Sequence, residues 1–351
     1  MKPLSYSLIA AALACGLASA QTTAYTTPVG YVTKTLTGGR FNLTSLTVHN
    51  PTVSAGVISA KDVTLPPSVT VTGANFLTLL GTPGDPGTPG TENTYILELT
   101  DGSIQEITEW GADYLRTSAN FNARVTAGTT TYKLRKAATV SSVFGATNTA
   151  GLKSSPDGEV ENASGIPTAD TIQLWNGAGF TTIYYFDDTA GATGWYTGTG
   201  APAANIPIIH ADGFFVRRAA GAPINLVVTG EVKTTKTSGA LDPGFSYLGA
   251  VAPVGLTLAT SGLENFMGHS ADGIVTDDNT GKYVVDTVQI QQPDGGYRVC
   301  YYFGDTPTGV WYDAEGNLAG DAVLDGGFLI YSISALPKPY TVSAPPSYST
   351  L

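Results

Sequence analysis

Residues able to do chemistry are sparse and scattered in this chain. His49, His210 and His269 are its only imidazoles among 351 residues, and they fall at unrelated places. A zinc centre built on imidazole needs at least two brought together, so no histidine is given a catalytic or metal role. Cys300 sits in the run Tyr297-Arg298-Val299-Cys300-Tyr301-Tyr302-Phe303. Apart from Arg298 it has no histidine or cation cluster nearby to generate a thiolate. It reads as a small buried hydrophobe in a strand. No Gly-x-Ser-x-Gly elbow, Walker loop or dinucleotide fingerprint stands where a strand would feed a helix. Paired carboxylates for glycoside hydrolysis are defined by a separation in space. Asp187-Asp188 and Glu106/Glu109 are candidates for that work in name only, with hairpin-end or solvent-face charge as the plainer reading. The sequence therefore predicts no enzyme.

Two binding features stand out more. The loop Asp272-Gly273-Ile274-Val275-Thr276-Asp277-Asp278-Asn279-Thr280-Gly281 concentrates oxygen ligands between glycines. Calcium takes six to eight oxygens from such loops, which makes Asp272, Asp277, Asp278 and Asn279 a candidate calcium site, although the spacing fits no EF-hand. Calcium is the only cofactor suggested. The second feature is aromatic. Tyr184-Tyr185-Phe186 and Tyr301-Tyr302-Phe303 place rings on both faces of a strand, because strand side chains alternate. With one face filling a core, Tyr185 and Tyr302 would point the other way. Together with Trp195 and Trp311 they would form flat platforms for sugars or neighbouring subunits. Burial of both faces between two sheets is the competing expectation.

The elements that must position these residues are strands. Tyr95–Ile104, Thr171–Phe180 and Thr287–Tyr297 each place Asp-Gly or Asn-Gly between two β-favouring runs, a dipeptide suited to the type I′ turn of a hairpin. The second and third signatures continue to match in order. Asp170-Thr171-Ile172-Gln173 corresponds to Asp286-Thr287-Val288-Gln289, Trp195-Tyr196 to Trp311-Tyr312, and Asp212-Gly213-Phe214 to Asp325-Gly326-Gly327-Phe328. A more diverged first copy is marked by Gly30–Thr35, Phe41–Leu46 and Tyr132–Ala138. The expected fold is all-β, with tandem antiparallel sandwich-like or small-barrel units and little helix. The units are 26–138, with a Gly/Pro-rich loop at 81–90, then 139–229 and 230–344. Each is longer than a common solenoid repeat. A tail at 345–351 is expected to be disordered.

The chain opens with Lys2, an apolar run from Leu4 to Leu17 and Ala18-Ser19-Ala20. That is the pattern of a signal peptide, 1–20, cleaved after Ala20. A loose lipobox at Ala12–Gly16 offers lipid anchoring at Cys15 as the alternative. The apolar run is too short to span a membrane. Cleavage would leave Cys300 alone, which excludes a disulfide framework. The net charge of −11 lacks the Lys/Arg footprint a nucleic acid needs. Strand runs are shorter and more glycine-broken than those of an outer-membrane barrel.

The leader, the opening Pro28-Val29-Gly30-Tyr31-Val32 with Phe41-Asn42-Leu43-Thr44-Ser45-Leu46, and the aromatic–glycine strands carry a resemblance. They resemble a group of secreted repeat-containing proteins of unknown function from Verrucomicrobia and related bacteria. The resemblance implies an extracellular, periplasmic or cell-surface location and carries over no activity or site. The leading expectation is a non-catalytic structural or adhesive protein, with polysaccharide or other envelope proteins as partners and self-assembly open to it. A carbohydrate-binding module array and a secreted hydrolase with carboxylate chemistry are the alternatives.

Overall fold

The structure, a computed structural model, describes residues 28–64, 67–81, 94–119, 122–188, 192–304 and 308–350. The expected signal peptide, Cys15 and all but the first residue of the 81–90 loop lie outside them. The fold is all-β, built of antiparallel sheets without a closed barrel, and helix is confined to short turns. No helix among the described residues is long and apolar enough to cross a membrane.

Two five-stranded sheets share one strand order. The first runs Thr193–Thr197, Phe180–Asp187, Thr171–Trp175, Gly213–Arg217, Phe41–Ser45. The second runs Val310–Asp313, Tyr297–Phe303, Thr287–Gln291, Gly327–Ser332, Gly244–Gly249. Each has a two-stranded companion, Val29–Leu36 with Ile224–Glu231 and Thr237–Leu241 with Lys338–Val342. Alternation turns Ile172, Ile183, Phe214 and Val216 inward to meet Leu36, Leu226 and Phe144. In the second unit Val288, Cys300, Phe328 and Ile330 meet Leu241, Leu258 and Val342. Each such side chain, once fully buried, contributes roughly 1.5–3 kcal/mol.

Hydrogen bonds match as closely as topology. The Asp170 carboxylate accepts the Lys153 and Ala219 N–H groups at 2.8 and 2.7 Å and pairs with Arg218. The Asp286 carboxylate accepts those of Gly268 and Ile333 at 2.5 and 2.8 Å and pairs with Lys338. Ser155 and Ser270 bridge Phe186 and Phe303 in parallel. The short helices Val140–Phe144 and Leu258–Ser261 both start at a threonine, Thr139 or Thr257, whose N–H is taken by the hydroxyl three residues on.

The strand pairing departs from the expected boundary near 138. Phe41–Ser45 pairs with Gly213–Arg217, and Val29–Leu36 pairs with Ile224–Glu231. The opening strands therefore belong with 138–231. Residues 50–137 form a separate seven-stranded sheet set into that unit, ordered Thr52–Val57, Thr131–Lys136, Tyr95–Leu99, Ile104–Trp110, Tyr114–Thr117, Ser68–Thr70, Ala60–Asp62. Its core gathers around Phe76, Leu97, Leu115 and Leu134. The physical cause is that hydrogen bonding follows face and register, which Phe41–Ser45 satisfies only across the intervening residues.

Two local expectations also change. In the three hairpins only Gly102, Gly177 and Gly295 have positive φ, while Asp101, Asn176 and Asp294 do not. These turns thus use a single left-handed glycine instead of the two left-handed residues of type I′. The tail is not disordered over its described part. Pro346–Thr350 forms a 3-10 turn, and Tyr348 packs into the second unit's core with its hydroxyl accepting the Val254 N–H at 3.3 Å.

The two five-stranded units meet face to face with a local two-fold relation. A Cβ on Gly213 would stand 2.6 Å from Leu248 O, and one on Gly327 would stand 2.6 Å from Thr44 O. Thr44 and Leu248 hold matching positions opposite Phe214 and Phe328. The contact is therefore reciprocal, like the self-complementary patch of a symmetric dimer. Only glycine permits that approach of the two backbones.

Candidate functional site

The aromatic platform expected at Tyr185, Trp195, Tyr302 and Trp311 is corrected. These side chains are only 7, 2, 4 and 2 % exposed and lie inside the two unit cores. The Trp195 indole N–H donates to Gly145 O at 2.8 Å, and the Tyr302 hydroxyl donates to Gly309 O at 2.8 Å. The face carrying Tyr185 and Tyr302 is the one turned into the core. The opposite face is covered too, because the loops at Gly158 and Gly273 lie against Tyr184 and Tyr301, which are buried as well.

The calcium candidates also find other employment. Asp272 Oδ1 accepts from the Ile274 N–H and the Ser270 hydroxyl. Asp277 Oδ1 accepts from the N–H groups of Asn279 and Thr280. Asp272, Asp277, Asp278 and Asn279 do line one open depression. Among the described residues, however, no group of three or more His, Cys, Asp or Glu side chains is arranged to hold a metal. Cys300 is fully buried, and burial pushes its thiol up to about 12.

The structure brings two histidines together that the sequence held apart. His49 and His210 lie edge to face with ring centroids 5.3 Å apart. They sit in a buried ionic joint where the inserted sheet meets both units. Glu98 and Arg135 come from the insert, Glu231 from the first unit, and Lys233 from the start of the second. Lys233 Nζ bonds Glu98 Oε1, Arg135 Nε lies 3.5 Å from Glu98 Oε2, and Arg135 Nη1 is 2.9 Å from Glu231 Oε2. Burial would raise the Glu98 carboxyl, but the Lys233 ammonium, with Arg135, brings it down to about 2. Burial, aided by Arg135 and Lys233, holds His49 down to about 4 and His210 far below its ordinary range. Two cations in the joint oppose a metal ion there.

This joint predicts acid lability. Between pH 6.5 and about 4 the unfolded chain takes up imidazole protons that folded His49 refuses, so stability falls as pH drops through that window. Glu98 extends the loss from about 4.5 down toward 2. Asp212 works in the opposite sense, since desolvation and then Glu106 push its carboxyl up to about 7. Its side chain is solvent-exposed in a cleft, so screening reduces that contribution. The urea midpoint is expected to be lower at pH 5 than at pH 7, and His49→Gln should flatten the difference. An unchanged midpoint between those pH values would contradict the assignment.

The exposed rings are elsewhere. Trp175 and Phe180 flank the turn of the first unit's hairpin and face one another across it, with centroids 5.1 Å apart. Phe180 also meets Phe215 at 5.7 Å and Tyr247 of the second unit at 5.0 Å, and Phe215 meets Phe41 at 5.9 Å. Phe41, Trp175 and Phe180 remain 41, 38 and 37 % exposed. This ridge separates two concavities at the junction of the units. On one side is a groove of about 590 Å³ holding Arg40, Phe41, Gln173, Phe180, Phe215 and Tyr297. On the other is a cleft of about 350 Å³ holding Glu106, Asp212, Asp242, Ser246, Trp175 and Tyr247. The available signal was the pair Trp175 and Phe180 around Asn176-Gly177, since residues flanking a hairpin turn share one face.

Comparison with protein-family models, with curated proteins and with solved structures yields no match.

Proposed function

We propose that the chain is an exported, non-catalytic β protein acting by contact, in a structural or adhesive role outside the cell or at its surface. Internal duplication of an ancestral sandwich-like unit, with a third sheet inserted into the first copy, accounts for its architecture. The observation that carries the reading is the coupling of three sheets through the buried joint of Glu98, Arg135, Glu231 and Lys233. Such a joint fixes the orientation of the exposed ridge, as a presenting scaffold requires. Polysaccharide or other envelope proteins are the partners this role implies. Binding to carbohydrate is favoured as the mode of contact by the exposed rings at the unit junction, in place of the four buried ones.

Fractionation of the source cells, with mass spectrometry of the mature N-terminus, tests the reading. The expected result is a chain beginning at Gln21 in the envelope or the medium, bound to envelope preparations and eluted intact by denaturant. A chain starting at Met1 in the cytosol would overturn it. A lipid-modified Cys15 would retain the surface role and replace the proposed cleavage.

A further inference from the structure

We infer that the ridge of Trp175, Phe180, Phe215 and Tyr247, with the groove and cleft on either side, is a binding site for an extended, neutral pyranose polymer. The inference rests on the contact function proposed above and names what is contacted.

Ring chemistry supports the class. A pyranose has a face of C–H groups and a rim of hydroxyls, so it suits an aromatic surface bordered by hydrogen-bonding groups. Aromatic side chains offer broad apolar contact at little conformational cost. The Gln173 carboxamide lines the groove and makes no hydrogen bond within the described residues, leaving both a donor and an acceptor for hydroxyls. The cleft adds Asp212, Asp242 and Ser246, acceptors suited to the same rim. The groove volume lies within the ~300–1,000 Å³ typical of small-molecule sites. Two concavities sharing one ridge fit a chain that crosses it better than a single sugar.

Charge selects neutrality. The cleft carries the Glu106 and Asp242 carboxylates, with Asp212 beside them, and no Lys or Arg among the described residues lining it. The groove carries Arg40 and no carboxylate. A uniformly anionic polymer lying across both would be repelled from the cleft, and a polycation would meet Arg40.

A strand-adding peptide is disfavoured by the backbone. The strand edge that reaches the groove, Phe41–Ser45, is closed by Gln291. Its carboxamide accepts the Leu43 N–H at 2.8 Å and donates to Phe41 O at 3.0 Å. Peptides that extend a sheet need those groups open.

The test is affinity electrophoresis of the mature chain, residues 21–351, in gels containing mixed-linkage β-glucan, xylan, galactomannan, alginate or heparin. Retardation by at least one neutral polymer and by neither anionic one is expected. Trp175→Ala and Phe180→Ala should each weaken it at least tenfold. Phe245→Ala, at the second unit's position matching Phe41 but packed on Tyr331, should leave it unchanged. Circular dichroism and melting of each variant verify folding, and Gln173→Ala, a milder change, should weaken binding severalfold without altering the melt. Retardation by anionic polymers alone, by none, or undiminished in the Trp175 and Phe180 variants would overturn the inference. So would Trp175-dependent self-association in place of glycan binding. Retention of Trp175→Ala on envelope preparations would sink this site while leaving the contact function standing.

Discussion

Replacing Glu98 by glutamine should cost the fold about 3–5 kcal/mol, the range for removing one partner of a buried ion pair. Lys233 and Arg135, 2 and 4 % exposed, would then face a neutral amide. Arg135 would keep Glu231 and the Asn50 carbonyl, and Lys233 only uncharged partners such as the Thr235 hydroxyl. Most of the loss is the stranded charge and not the missing attraction. Glu98→Gln combined with Lys233→Met should therefore recover part of the stability, a strongly non-additive pair. Because Glu98 ties the insert to the second unit, the single variant should also broaden urea unfolding into two steps. A Glu98→Gln chain within about 0.5 kcal/mol of the parent, as expected of a surface change, would show that the joint is not load-sharing.

Asp170→Ala should lose a comparable amount, about 3–5 kcal/mol. Its side chain is fully buried, it satisfies two backbone N–H groups, and Arg218 is 6 % exposed. Asp286→Ala should lose somewhat less, about 2–4 kcal/mol, because Lys338 is 22 % exposed and can turn toward water once released. Urea denaturation of both at pH 7 provides the check. The rank order carries the information, since the two carboxylates do the same work and differ mainly in how well the partner cation can escape. A loss at Asp286 clearly exceeding that at Asp170 would refute that account.

Local pattern made much of the β architecture readable, and the limits are physical. Asp170 and Asp286 stood in matching sequence, and their surroundings match in space. Asp-Gly and Asn-Gly marked the hairpins because a left-handed glycine is needed whichever turn forms. The insertion was not readable, because the partner of Phe41–Ser45 lies beyond residue 200 and nothing in a short window encodes that pairing. Tyr185 and Tyr302 show that alternation gives two faces without saying which one is inward. His49 and His210 meet because Phe41–Ser45 pairs antiparallel with Gly213–Arg217, which brings the residues just after the first strand beside those just before the second. The ridge escaped notice because Tyr247 comes from the other unit, so no contiguous stretch contains it.

The insert leaves and re-enters its host at almost one place, with the Asn50 carboxamide donating to Lys136 O at 3.0 Å. Such closely spaced ends make residues 51–136 a cassette, one that evolution or an engineer could exchange for another without disturbing the host strands. Lys233 sets the entry condition: any replacement must bring its own acid to meet that amine.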